Sequence, residues 1–99
     1  MLVVIAQIPG KSDRRDEIAA VLSAAAAASR SDAGCLSYTF NRDLENENSY
    51  VSVEVWEDQA SLDAHFGQPH LVELMTKAPD LVTGPAVITV YDAASSRVL

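Results

Sequence analysis

Glu54, Trp56 and His65 are the side chains in this sequence whose types and spacing best suit chemistry. Glu54 and Trp56 alternate with valines, so both lie on one face of a predicted strand. His65 follows on a predicted helix. A histidine moves protons near neutral pH, a carboxylate can fix the position of a proton, and an indole offers one N–H donor. These three residues are therefore candidates for proton transfer and substrate positioning.

The strand face of Glu54 and Trp56 is mixed polar and aromatic, which suits the lining of a small-molecule cavity. If the preceding strand pairs Asn41 with Tyr50, its own polar residues join this face. A purely structural interpretation is also open, with Glu54 at a wet edge, Trp56 filling the core and His65 bonded as a structural histidine. Besides the three candidates, the predicted substrate-binding residues are Ser52, Tyr50, Asn41, Thr39 and Phe66.

No motif in the sequence points to a cofactor or a metal. His70 lies beyond Gly67 and Pro69 from His65, which is not the spacing of two metal ligands on one helix. Cys35 lacks an orienting group that would make it a nucleophile. The phosphate-binding glycine loop and the dinucleotide fingerprint are both missing. We expect neither a metal nor another cofactor.

Composition narrows the range of partners. The 99 residues carry 7 basic and 14 acidic side chains, for a net charge of −7. This charge disfavours nucleic acid and anionic membranes. A single cysteine permits no intrachain disulfide, and residues 2–8 are typical of a strand rather than a signal peptide. We therefore expect a cytoplasmic protein, while the net charge says little about small neutral or aromatic ligands.

The elements that must position these residues follow the order β-α-β-β-α-β in a single domain, 1–99. Ser12 or Asp13 is predicted to cap the first helix, Asp58 caps a short second helix, and Pro69 begins a third helical segment. Residues 92–99 are predicted to be a loosely ordered tail. The predicted strands are 2–8, 35–42, 50–56 and 86–91, and the predicted helices end near Arg30, Phe66 and Ala78.

This order predicts a ferredoxin-like α+β fold, an antiparallel sheet with its helices on one face. No helix is left to cover the other face, and an apolar face seldom stays exposed to water. A second copy of the chain packed sheet to sheet would cover it, so we expect a homodimer. The apolar residues predicted for that face are Leu36, Tyr38, Phe40, Val51, Val53 and Val55.

Three segments together resemble the antibiotic biosynthesis monooxygenase family: Gly34–Tyr38, Val53–Asp58 and Ala64–His70. The shared pattern is a glutamate, one intervening residue, an aromatic residue, and a histidine about nine residues later. Glu54, Trp56 and His65 match it, and the resemblance extends over nearly the whole chain.

The resemblance implies a dimeric α+β barrel with a cavity between sheet and helices. Characterised relatives oxidise quinols or polycyclic aromatic polyketides with dioxygen, without metal, flavin or haem. Carried over, Trp56 would be a cavity wall able to bond a substrate oxygen, His65 a base and Glu54 a residue that fixes a proton's position. Ser52 replaces an asparagine found in some polyketide-oxidising relatives. The implied partners are a small aromatic substrate and dioxygen.

Two other functions remain open for this fold. The first is a dimeric binding module without turnover, because fold does not fix function. The second is haem degradation, which in relatives requires an axial histidine on the following helix. Met75 aligns with that position here, and His70 is a poor substitute for it.

Overall fold

One antiparallel sheet and three helices make up the computed structural model, which describes all 99 residues. The sheet order is β2-β3-β1-β4, so the first strand lies between the third and the fourth. This confirms the predicted ferredoxin-like α+β fold. The elements are β1 (Leu2–Pro9), α1 (Arg15–Ser29), β2 (Cys35–Arg42), β3 (Ser49–Trp56), α2 (Gln59–Phe66), α3 (Pro69–Lys77) and β4 (Val87–Asp92).

Capping and proline residues in the sequence explain where α2 and α3 begin, but not where α1 begins. Asp58 caps α2 as predicted, accepting a hydrogen bond from the backbone N–H of Ser61. Pro69 begins α3. The prediction that Ser12 or Asp13 caps α1 is wrong, because both lie in a short 3₁₀ turn that precedes the helix and Arg14 holds the cap position without a side-chain bond.

Two apolar clusters between the sheet and the helices form the core. One surrounds Trp56, which is fully buried, and the other surrounds Tyr50. Since β3 carries both aromatic residues on its helix-facing side, it spans the two clusters. The first cluster contains Leu2, Val4, Ala26, Tyr38, Trp56 and Leu62, and the second contains Ile18, Leu22, Tyr50 and Leu81.

The predicted register of the β2–β3 hairpin is wrong by one residue. Tyr50 pairs with Arg42, and Asn41 pairs with Val51. A shift of one residue moves every side chain of a strand to the opposite face. Thr39 and Asn41 therefore lie on the side away from the helices, where both are exposed. The observed register buries Tyr38 on the helix side, and this burial favours it over the predicted register.

The sheet face without helices differs in composition from the predicted one. Tyr38 and Phe40 pair with Glu54 and Ser52 and so belong to the helix side, while Leu36 lies in a bulge. The valines of β3 remain on the open face, opposite Thr39, Asn41 and Ser37. Their partners on β1 and β4 complete the open face, and its apolar members are Val3, Ile5, Val51, Val53, Val55, Val87 and Tyr91.

None of the helices is both long enough and apolar enough to cross a membrane.

Candidate active site

A cavity of about 440 Å³ lies between the helix-facing side of the sheet and helices α1 and α3. Most of its wall is aliphatic or aromatic, and its polar side chains gather around Glu54 and His65. A second depression, near the Asn46–Ser49 turn, has no ionisable side chain in its lining. We therefore place the candidate active site in the cavity that contains Glu54 and His65.

Glu54 organises the floor of this cavity through two hydrogen bonds. Ser52 Oγ donates to Glu54 Oε2 at 2.7 Å, and Trp56 Nε1 donates to Oε1 at 3.1 Å. All three side chains are buried. The alternation of β3 places them side by side, as the sequence predicts. Both carboxylate oxygens are thus occupied by donors, and a buried acceptor with its donors supplied is a stable arrangement.

Trp56 does not have the donor role that the resemblance implies. Its single N–H is engaged by Glu54, and its ring packs against His65 with the ring centroids 4.6 Å apart. Trp56 therefore supports the two residues that line the cavity, Glu54 and His65, from behind.

His65 is held in one orientation by a carboxylate that the sequence did not indicate. Its Nδ1 lies 2.8 Å from Asp32 Oδ2, and both side chains are buried. Because a carboxylate only accepts, Nδ1 carries a proton, and in the neutral imidazole Nε2 is then the acceptor. His65 lines the cavity and Asp32 does not. Nε2 is therefore the nitrogen available to a bound molecule, which is the geometry of an oriented general base.

Asp32 lies in the turn between α1 and β2, and this turn places it beside His65. Gly34 in that turn has φ of 77°, in the left-handed region that favours glycine. Its carbonyl accepts the backbone N–H of Glu57 at 2.9 Å, which fixes the turn beside the start of α2. Asp32 precedes a glycine and follows a helix, so a turn was predictable, but its contact with His65 depends on tertiary packing.

His70 also reaches Asp32, with Nε2 3.0 Å from the same oxygen, Oδ2. The break at Gly67 and Pro69 turns α3 against α2 and brings the two histidines together, so their sequence spacing does not keep them apart. Asp32, His65 and His70 offer ligand atoms within 4.8 Å of one another and are the residues here that could hold a divalent cation. Hydrogen bonding alone accounts for their arrangement, because both imidazoles donate to one carboxylate.

The other predicted binding residues separate into those at the cavity and those elsewhere. Ser52 and Phe66 line it. Tyr50 does not; it is buried in the second apolar cluster, where its hydroxyl has no hydrogen-bond partner. Thr39 and Asn41 are on the far side of the sheet, as described above, and cannot contribute to this cavity.

Cys35 has no activated thiol. Burial raises the pKa of its thiol, and the negative charge of Asp32 raises it further. A raised pKa leaves little thiolate at neutral pH, and the thiolate is the nucleophile. We therefore still expect that Cys35 is not a nucleophile, now because its thiol pKa is raised.

Tyr38 lines the cavity next to His65, with ring centroids 5.4 Å apart. Burial raises the pKa of its hydroxyl well above the usual 10.0, and the negative charge of Glu54 adds to the effect. Tyr38 is therefore a neutral phenol wherever the protein is folded and active, able to donate a hydrogen bond and unable to act as a base.

This shift predicts a loss of stability at alkaline pH. Above pH 10 the unfolded chain releases the Tyr38 proton while the folded chain retains it, so rising pH favours unfolding by up to about 1.4 kcal/mol per pH unit. In Tyr38→Phe, the free energy of unfolding measured in urea should fall less steeply above pH 10. A Tyr38→Phe protein whose stability falls as steeply as that of wild type above pH 10 would contradict the prediction.

Comparison with known proteins agrees with this fold. The model of the antibiotic biosynthesis monooxygenase family matches residues 1–77, a span that contains Glu54, Trp56 and His65. The chain therefore belongs to the antibiotic biosynthesis monooxygenase family.

Individual relatives extend the likeness over almost the whole chain. A Synechocystis protein of uncharacterised function, sll1783, is 39% identical over 98 residues, which are 99% of this chain and 67% of that protein. Rv0793 of Mycobacterium tuberculosis, provisionally named a monooxygenase, is 29% identical over 89 residues, covering 90% of this chain and 87% of its own.

Solved structures share the fold. The structure of Rv0793 superimposes with a TM-score of 0.89 at 27% identity, covering 96% of each chain. A Deinococcus radiodurans structure, provisionally named an antibiotic biosynthesis monooxygenase, has a TM-score of 0.92 at 20% identity, covering 100% of this chain and 98% of its own.

Proposed function

We propose that this protein is a cofactor-independent monooxygenase that oxidises a small hydroquinone or phenol with dioxygen in the cavity beside His65. The observation that carries the proposal is the Asp32–His65 pair. A buried carboxylate fixes the proton on Nδ1 and leaves Nε2 as the acceptor of a ring that lines an apolar cavity.

The chemistry requires only that the substrate lose a proton in a dry place. His65 Nε2 accepts the hydroxyl proton, and the resulting phenolate is electron-rich enough to reduce dioxygen. For a hydroquinone, oxidation to the quinone and insertion of one oxygen into a ring C–H bond together supply four electrons, and the second oxygen leaves as water. All electrons come from the substrate, so no external reductant is needed.

The protein contributes position and dryness to this reaction. A substrate bound against the apolar wall would displace water from around His65, which strengthens the hydrogen bond between the substrate hydroxyl and His65. Trp56 packs on the ring of His65, and Glu54 holds Trp56 in turn, so the base cannot rotate away. Holding the hydroxyl against a fixed base replaces a bimolecular encounter with an oriented one.

Oxygen uptake with a panel of hydroquinones, in buffer containing a metal chelator, tests the proposal. Uptake should exceed the autoxidation of the same compounds without protein, and one hydroxyquinone should form per oxygen molecule consumed. Uptake that disappears on chelation would overturn the cofactor-independent mechanism and would direct attention to Asp32, His65 and His70 as metal ligands. Saturable binding without uptake would instead support the non-catalytic binding module.

The open face of the sheet supports a second part of the proposal, a homodimer. Val53 and Tyr91 are 40% and 53% exposed on a face that is otherwise built from Val3, Ile5 and their neighbours. A second copy packed on this face would remove the apolar surface from water, and a stable interface buries about 800 Å² per partner.

Val53→Glu is expected to convert the dimer into a monomer, because it places a charge in the centre of the apolar face. Analytical ultracentrifugation at micromolar concentration measures the change. Leu44→Glu is the matched control, since Leu44 lies in the β2–β3 turn and is fully exposed. A wild-type protein that sediments as a monomer would refute the dimer.

A further inference from the structure

The cavity has two chemically different ends along the sheet. At one end Glu54 pairs with Val4 across β3 and β1, and His65 packs on Tyr38, the β2 partner of Glu54. At the other end Ile8 pairs with Tyr50, which packs among the aliphatic side chains of the second apolar cluster. The residues of that cluster that also line the cavity are Ile18, Leu22 and Leu81, together with Ile8, Val21, Phe40 and Leu74 packed against it.

The distance between the two ends exceeds the size of one aromatic ring. Val4 and Ile8 are four residues apart on β1, and at about 3.4 Å per residue the polar and aliphatic ends lie about 14 Å from each other. A hydroquinone placed against His65 therefore leaves the aliphatic end empty. Since 17 of the 23 lining residues are hydrophobic, the remainder of a well-fitting ligand must be apolar.

Charge at the polar end limits the head group of such a ligand. The lining contains neither lysine nor arginine, and Glu54 faces the cavity while Asp32 stands behind His65. A carboxylate or phosphate head would be buried there without a cationic partner, which is costly. A neutral hydroxyl can instead donate to Nε2 of His65.

We infer that the ligand is a hydroquinone or phenol carrying an aliphatic side chain, with the ring against His65 and the side chain running between α1 and the sheet toward Leu81. The redox role of the ring rests on the proposed function. The preference for an aliphatic side chain rests on the shape and composition of the cavity.

A series of 2-alkyl-1,4-hydroquinones, from methyl to dodecyl, tests the inference in two ways. Binding is measured without oxygen from the fluorescence of Trp56, the only tryptophan, which contacts His65. Turnover is measured as oxygen uptake. The Kd should fall about fourfold for each methylene that the cavity buries, and should level off when the tail fills the aliphatic end. Decanoate, with a comparable tail and an anionic head, should bind far more weakly than decylhydroquinone.

Val21→Phe supplies the matched test of where the tail lies. Val21 lines the cavity at the aliphatic end, so a larger side chain there should move the levelling-off to shorter tails. Val72→Phe, at an exposed position of α3 outside the lining, should reproduce the wild-type series.

The outcomes separate this inference from the proposed function. A Kd that does not change with tail length, or decanoate binding as tight as that of decylhydroquinone, would overturn the inference even if methylhydroquinone is oxidised. The Kd could instead depend on tail length and level off at shorter tails in Val21→Phe, with no oxygen uptake. That result would support the ligand class and overturn the monooxygenase activity.

Discussion

His65→Gln is expected to slow oxygen uptake with a hydroquinone by about 10²-fold or more at neutral pH, the usual scale for a positioned acid–base group. Glutamine keeps a hydrogen-bonding side chain of similar reach but cannot accept the proton for later return. The expected loss follows from the geometry, because Nε2 of His65 is the acceptor that the Asp32 hydrogen bond leaves available at the cavity wall.

The pH profile distinguishes lost base catalysis from damaged structure. At high pH the hydroquinone ionises without assistance, so the difference between His65→Gln and wild type should shrink. A structural defect would instead reduce the rate equally at every pH. Thermal melts of both proteins, recorded beside the rates, show whether the folded fraction is unchanged.

Asp32→Asn and His70→Gln test separately how much Asp32 and His70 contribute to the rate of oxygen uptake. Asp32→Asn replaces a carboxylate that only accepts with a neutral amide that can also donate, so the proton is no longer fixed on Nδ1. The rate should fall while the cavity lining stays intact. His70 touches the same oxygen but lies outside the lining, so His70→Gln is the control and should have a small effect.

A folded His65→Gln variant with the wild-type rate at neutral pH would remove His65 from the mechanism.

Residues close together in sequence account for the part of the site that could be predicted. Glu54 and Trp56 share a strand face through simple alternation, and Val55 between them lies on the opposite face. Their hydrogen bond follows directly from this spacing. The strands and the order of the elements were predictable for the same reason, because each depends on short-range patterns.

Contacts between distant segments account for what could not be predicted. Asp32 and His65 are 33 residues apart and meet because the Gly34 turn packs against the start of α2. The hairpin register was missed by one residue because the polar turn permits either pairing. Burial of Tyr38 decides between the pairings, and the pattern within β2 alone does not show which face meets the helices.

Trp56→Ala is expected to lower the free energy of unfolding by about 3–5 kcal/mol, the range for removing a large aromatic side chain from a core. Trp56 is fully buried in the first apolar cluster, so its removal leaves a cavity that the neighbouring strands cannot close. The change also removes the donor to Glu54 Oε1. Urea unfolding followed by circular dichroism, at one fixed protein concentration, measures the loss.

Two further variants separate packing from hydrogen bonding and keep the prediction testable if Trp56→Ala does not fold. Trp56→Phe retains most of the aromatic packing but not the N–H, so it should lose about 1–3 kcal/mol, the cost of leaving a buried acceptor without its donor. Leu44→Ala, at a fully exposed position, should stay within about 0.5 kcal/mol of wild type. Since Trp56 also supports His65, Trp56→Phe should slow oxygen uptake in the folded protein. A Trp56→Phe protein as stable and as fast as wild type would show that the indole N–H contributes nothing to holding Glu54 or the base.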